Sequence, residues 1–253
     1  ELKLPTCSSS YTSFDWRSLG KVTPVKAQGG CGSCPYFATL AAWEGSHAIR
    51  NGALVDASEQ RLLSCTVGDC TGWNLTGVAN EMVANGTSTE AAYPYVASNT
   101  ACNASALTPY NAINSAEVNG WSGATTEEIQ QAICDHGPVA VAVNASAIFQ
   151  AYDSGIFNEF NNPVYSYGPD SRWSDWDGEP AINHFVALVG WSDSQGGYWI
   201  AKNSWGTWWG ESGYARIAYG SNNIGAGARW IDAPYLRIMS AKRWREAFRL
   251  KIP

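Results

Sequence analysis

Apolar and polar positions follow one rhythm in the first half of the chain and another in the second. Phe37, Leu40, Ala41 and Ala48 recur near helical spacing, so residues 36–51 read as a helix that Asn51-Gly52 stops. Ser58 is a suitable N-cap for a short helix ending at Cys65, and residues 75–85 read as another helix closed by Gly86. Thr125-Thr126-Glu127-Glu128 is a capped start for a helix that Gly137-Pro138 ends. From there, β-branched and aromatic runs at 139–143, 182–191, 198–202 and 213–218 predict strands. Helices first and strands afterwards make an α+β chain with a cleft between two lobes. The expected division is one unit over 1–253. A helical lobe spans about 18–115, a β-rich lobe about 1–17 and 116–232, and an extension 233–253.

Composition narrows the class. A chain of 253 residues with 13% aromatic and only 15% charged residues can bury a large core and is neither disordered nor nucleic-acid-binding. The net charge of −6 fits an acidic or extracellular setting. No apolar run approaches the roughly 20 residues a membrane span needs, and Glu1 reads as the start of a processed chain. Seven cysteines are an odd number; bridging all but one would leave a thiol for chemistry in an oxidising compartment.

That thiol is sought in Gln28-Gly29-Gly30-Cys31-Gly32-Ser33-Cys34-Pro35. Pro35 belongs at a first helical position, which puts Cys34 at the helix start, where unpaired N–H groups and the macrodipole favour a thiolate. Cys34 could instead pair with Cys31, as a structural bridge or a redox dithiol, and Cys65 and Cys70 are the only partners for a zinc site. A nucleophile needs a base, and the chain has three histidines. His47 lies about 20 Å further along the same helix at 1.5 Å per residue. His136 sits in the turn before Pro138 and reads as a solvated turn residue. His184 begins an apolar strand that a hairpin returns along residues 198–203. Pairing Trp191 with Tyr198 sets His184 opposite Trp205, with Asn203 on the same face. Asn203 can then accept a hydrogen bond from one ring nitrogen while the other faces the thiol, and Trp205 can shield that bond.

Three separated blocks carry a resemblance. The run Val25 to Cys34 resembles the active-site segment of papain-like cysteine proteases, the cathepsin L type included. Asn183-His184 with its strand is similar to the histidine segment of that family. The block from Asn203-Ser204-Trp205-Gly206 to Gly213-Tyr214 is similar to its asparagine segment. Phe14-Asp15-Trp16-Arg17 resembles the opening of its mature enzymes. The resemblance implies a two-lobed fold, with a helical left lobe and a β-barrel-like right lobe. It implies a cysteine endopeptidase in mature form that works through a thiolate–imidazolium pair and an acyl-enzyme. Cys34 would be nucleophile, His184 acid and base, Asn203 its orienter, and Gln28 the oxyanion donor beside the Cys34 N–H, with no metal or organic cofactor. Gly72 would pair with substrate backbone. Ala142, Ile182 and Phe185 would line the pocket for the second residue before the cleavage site, with Asp232 near its floor and Asn183 and Trp205 as further substrate-binding positions. The implied bridges are Cys31–Cys70 and Cys65–Cys102, which leaves Cys7 with Cys134. Protein or peptide substrates, an inhibitory prosegment, a monomer, and a secreted or lysosomal or vacuolar compartment complete the picture.

The chain departs from the family pattern at Pro35, where an aromatic residue is usual and the change would alter primed-side preference, and at Trp73, where a second glycine is usual and an indole would either narrow the substrate cleft on the non-primed side or pack outward. These departures keep alive a binding homologue without activity, beside the oxidoreductase that Cys31 and Cys34 would make. Two further segments are peculiar to this chain. Residues 158–181 form a long loop carrying Asp170, Asp175, Asp177 and Glu179. Residues 240–253 are basic, with Lys242, Arg243, Arg245, Arg249 and Lys251 against Glu246. Asn74, Asn85, Asn103 and Asn144 stand in glycosylation sequons.

Overall fold

The computed structural model describes residues 7–120, 124–159 and 182–235. The acidic stretch of the 158–181 loop and the basic 240–253 segment lie outside those residues. The helices are α1 (Cys34–Asn51), α2 (Glu59–Cys65), α3 (Leu75–Ala84), α4 (Thr126–His136) and α5 (Ala147–Gln150). The strands are β1 (Ser13–Asp15), β2 (Asn114–Glu117), β3 (Val139–Val143), β4 (Ile156–Phe157), β5 (His184–Ser192), β6 (Tyr198–Lys202), β7 (Tyr214–Ala218) and β8 (Ala226–Asp232). They form one sheet in the order β2-β8-β3-β5-β6-β7-β4, with β1 added along β5. The path has two ends, so among the described residues the β-rich lobe is an open sheet rather than the barrel-like closure the resemblance implies.

Local chemistry explains the elements. Ser58 Oγ caps α2 by accepting from Arg61 N–H at 3.0 Å, and Thr125 with Glu128 closes a capping box at the start of α4. β3 is buried on both faces, and its alternation divides them. Val139, Val141 and Val143 enter the core behind the sheet, with Leu188, Trp191, Trp199 and Ile217. Ala140 and Ala142 face the other way, into the core that α1 builds with Leu62, Leu75 and Met82. Small side chains on that face let α1 settle directly on β3, β5 and β8. A helix start is thereby set against the beginning of β5.

The hairpin register differs from the sequence expectation by one residue at its turn. Trp191 pairs with Trp199 and Gly190 with Ile200, whereas Leu188 pairs with Ala201 and Ala187 with Lys202. A bulge between Leu188 and Gly190 absorbs the difference. Below it the expected line resumes, and the His184 and Trp205 rings stack with centroids 4.5 Å apart. Three bridges join Cys7 to Cys134, Cys31 to Cys70, and Cys65 to Cys102. Cys34 is the free thiol. Cys65 and Cys70 therefore belong to separate bridges and Cys31 is already bonded, which removes both the zinc and the dithiol alternatives.

Candidate active site

Cys34 opens α1, and the turn before it is held tightly. Gly32 N–H donates to Cys70 O at 2.8 Å. A Cβ on Gly32 would come within 2.7 Å of that oxygen, so only glycine permits the approach. Ser33, the residue before the helix, does not cap it. Its hydroxyl turns to Tyr95 Oη, 2.5 Å away, and Tyr95 in turn donates to Gln28 O at 2.8 Å. Pro35 has no N–H, and the N–H groups of Tyr36 and Phe37 donate to Ser33 O at 3.0 and 3.4 Å, so the Cys34 N–H is the one first-turn donor left beside the sulfur. Pro35 does not displace Cys34 from the helix, and it lines the groove itself.

Gln28 reaches this site through backbone pairing between residues 26–28 and 204–206. Gln28 N–H donates to Ser204 O at 2.8 Å and Gly206 N–H to Lys26 O at 3.1 Å. Its side-chain amide is held at both ends: Nε2 donates to Cys31 O at 2.9 Å, and Oε1 accepts from Ser204 Oγ at 2.7 Å. With the oxygen so engaged, the second N–H on Nε2 remains for the groove. Ser204 is a participant that sequence reasoning missed. It stands in the Asn203-Ser204-Trp205-Gly206 block, but nothing in the sequence says that residue 204 would face residue 28.

His184, the first residue of β5, is buried. Its Nε2 lies 2.7 Å from Asn203 Oδ1. That oxygen also accepts the Ser204 N–H at 2.8 Å, so it is an acceptor toward the ring and Nε2 carries the proton. Nδ1 is left for other work. Trp205 lies against the imidazole, and Phe149 and Trp209 support it edge-on with centroids at 5.9 and 5.0 Å. This aromatic wall keeps water from the Nε2–Oδ1 bond.

Cys34 and His184 border the same groove, whose volume is about 510 Å³. The N–H groups beside the sulfur are those of Phe185 and Cys34 itself. Burial pushes the thiol up to about 12, with those two N–H groups pulling the other way. Burial likewise takes His184 down to about 4, against the opposing pull of Asn203. Each group taken singly is thus neutral. Moving the thiol proton to Nδ1 creates the two charges side by side, so their mutual attraction offsets the burial cost that each would carry alone.

The expected substrate positions separate into two groups. Gly72, Trp73, Asn183, Phe185 and Trp205 border the groove. The Trp73 indole lies over Gly77 and Gly68, where a Cβ would come within 2.5 Å and 2.8 Å of the ring respectively. Asn183 pins the 144–146 turn: its Oδ1 accepts from Ala145 N–H at 2.8 Å and its Nδ2 donates to Ala145 O at 3.3 Å. Ala142 and Ile182 are buried in the α1 core that also holds Phe185 and Cys34. Asp232 is elsewhere, at 2.5 Å from Arg50 and 2.9 Å from His136 Nδ1. His136 is no solvated turn residue, since its ring stacks on Trp230 at 4.0 Å and 5°. His136 and Asp232 are 96 residues apart, a separation that hides their contact from sequence reading. His47 is buried and bonds Ala53 O at 3.0 Å.

Comparison with known proteins agrees with this geometry. The family model described as papain family cysteine protease matches residues 11–231. Digestive cysteine proteinase 2 of Homarus americanus is 37% identical over 221 residues, covering 84% of this chain and 62% of its own length. Fruit bromelain of Ananas comosus is 36% identical over 214 residues, 82% of this chain and 55% of its own length. The chain thus spans less than two thirds of these relatives. The solved structure of bromelain from Ananas comosus in complex with the E64 inhibitor superposes with a TM-score of 0.72. It is 33% identical and covers 88% of this chain and 100% of that one. The Carica candamarcensis protease CMS1MS2, in complex with E-64, superposes at 0.73 with 34% identity, over 88% of this chain and 98% of its own. With the family model spanning both lobes and the thiol, imidazole and amide in place, the chain belongs to the papain family of cysteine proteases.

Proposed function

We propose that the chain is a cysteine endopeptidase that hydrolyses peptide bonds through an acyl-enzyme on Cys34. The observation that carries this is one free thiol at an uncapped helix start, across a groove from an imidazole whose outer nitrogen is fixed by Asn203. A peptide enters the groove with its scissile carbonyl against Cys34. Nδ1 of His184 takes the thiol proton, giving the thiolate–imidazolium pair, and the sulfur attacks the carbonyl carbon. The oxyanion that forms is held by the Cys34 N–H and the free N–H of Gln28 Nε2. The imidazolium returns its proton to the leaving amine, which departs. His184 next deprotonates a water that attacks the thioester, and Cys34 is regenerated. Asn203 keeps Nε2 protonated throughout, so Nδ1 is always the exchanging nitrogen.

Protein or peptide substrates, a longer precursor with an inhibitory prosegment, a monomeric enzyme and a secreted or lysosomal-type compartment belong to the same reading. The three disulfides support an oxidising compartment. Among the described residues no helix is long and apolar enough to cross a membrane. A thiol-directed epoxide followed by mass spectrometry tests the assignment. One adduct on Cys34 that abolishes peptide hydrolysis is expected. No adduct and no hydrolysis refutes it and favours a binding homologue; an adduct that leaves hydrolysis intact refutes Cys34 as the nucleophile.

A further inference from the structure

Between α1 and the adjoining ends of β5 and β6 lies a cavity of about 20 Å³, walled by Ala38, Glu44, Phe185, Lys202 and Asn203 among others. That volume suits one water molecule. Asn203 stands between this cavity and the catalytic histidine. Its Oδ1 serves His184 and the Ser204 N–H, but its Nδ2 is buried with no hydrogen-bond partner. A buried N–H donor without an acceptor is costly, and native structures usually satisfy it with protein or ordered water.

Charged groups lie on the other side of the cavity. Lys202 is buried, and Nζ donates to Thr23 Oγ1 at 2.8 Å. Thr23 Oγ1 donates to Glu44 Oε2. Glu44 Oε1 accepts from Ala57 N–H at 2.9 Å and from Lys26 Nζ at 3.4 Å. Lys26 also reaches Glu59 at 2.9 Å and Asp56 at 2.7 Å. Burial works against the charge on Lys26, and Glu59 and Glu44 outweigh it, so Lys26 is held above the usual lysine range. For Lys202 burial prevails and takes it down to about 8, with Glu44 the largest opposing influence. A lysine at that position is expensive as mere filling.

We propose that this cavity is a water site and that Lys202, backed by Glu44, is a positioning residue for the catalytic base. The water accepts from Asn203 Nδ2 and from Lys202 Nζ, and donates to the Glu44 carboxylate. With Nδ2 so satisfied, the amide cannot gain by turning over, and Oδ1 stays on the His184 Nε2 proton. A turned amide would set Nδ2 against that proton, donor facing donor. Lys202 acts on the reaction only through Asn203 and His184, so the inference rests on His184 being the base.

The test combines a crystal structure of the full chain at a resolution that shows waters with kinetics of Lys202→Met. A water within hydrogen-bond reach of Asn203 Nδ2 is expected. Lys202→Met keeps the length and loses the donor. It should lower kcat about tenfold, the worth of one net hydrogen bond, and leave KM within about twofold. Active sites are counted by epoxide titration, so loss of folded protein does not enter. The downfield proton resonance of His184 Nε2 should broaden or vanish in the variant. If Lys202→Met does not fold, Thr23→Val should lower kcat in the same direction by about threefold. A protein acceptor on Nδ2, an empty cavity, or unchanged kcat in a folded variant overturns the proposal. His184→Ala is measured in parallel. If it is inactive while Lys202→Met is normal, only the positioning role fails; if it turns over normally, the base assignment fails as well.

Discussion

Ser204→Ala deletes one hydroxyl, 2.7 Å from Gln28 Oε1, and Ser204 does not border the groove. The Gln28 amide would keep its Cys31 anchor at 2.9 Å and lose the other. The donor would still be present but free to swing or turn over, which should cost about 1 kcal/mol of transition-state stabilisation, roughly fivefold in kcat. Gln28→Ala removes the donor itself. Loss of one oxyanion donor costs about 3 kcal/mol, a fall of 10²- to 10³-fold in order of magnitude. KM should hardly move in either variant, because the contact is made to the oxyanion and not to the bound peptide. The double variant should be no worse than Gln28→Ala, since Ser204 acts only through that amide. The assay is steady-state peptide hydrolysis with active sites titrated by a thiol-directed epoxide. A Ser204→Ala effect as large as that of Gln28→Ala, or additive effects in the double variant, would refute the reasoning.

His136→Ala should leave turnover within about twofold and cost about 1–2 kcal/mol in urea unfolding, because it removes a stack on Trp230 and a bond to Asp232 at 2.9 Å but nothing in the groove; a loss of turnover to match His184→Ala would overturn the choice of base. Trp73→Gly should widen one end of the groove and raise kcat/KM several-fold more for substrates with bulky residues before the scissile bond than for those with alanine there; a uniform change across such a peptide series would show that the indole only packs on Gly68 and Gly77. Lys202 also gives a stability signature. Burial holds it at about 8 against an unfolded value near 10.5, so the unfolded chain binds more protons between those pH values and stability rises with pH there. The rise amounts to at most about 3 kcal/mol. Unfolding measured from pH 8 to 10.5 should show a smaller rise in Lys202→Met than in the parent; parallel curves would contradict the placement of the buried charge.

Much of the site was legible because local chemistry announces it. Pro35 after Cys34, the caps at Ser58 and Thr125, and the apolar strand after His184 each declare an element from a few neighbouring residues. Asn203 and Trp205 were placed beside His184 by strand alternation alone, and a bulge in β5 repaired a register that began one residue out. What stayed hidden depends on contacts far apart in sequence. β2 is a short polar edge strand, and β8, rich in Ala and Gly at its start, carries no clear two-residue period. Neither announces itself until it pairs. Ser204 meeting Gln28, Lys202 reaching Glu44 through Thr23, and Asp232 turning to Arg50 rather than the groove all join residues far apart in the chain. Ala142 illustrates the limit well: alternation correctly gives it the face opposite Val141, but nothing in the strand itself says that α1 packs on that face.

The account rests most heavily on the claim that the Cys34 sulfur is ionised by His184. Burial, against the pull of two N–H groups, pushes this thiol up to about 12, so without a proton acceptor the thiolate should require strongly alkaline solution. The direct measurement is the rate of Cys34 alkylation as a function of pH, in the parent chain and in His184→Gln, with the adduct located by mass spectrometry. The parent should remain reactive below pH 7. The variant should lose about tenfold in rate for each pH unit below a pKa well above the ordinary cysteine value of about 8.5. Superimposable profiles in the two proteins would contradict the account.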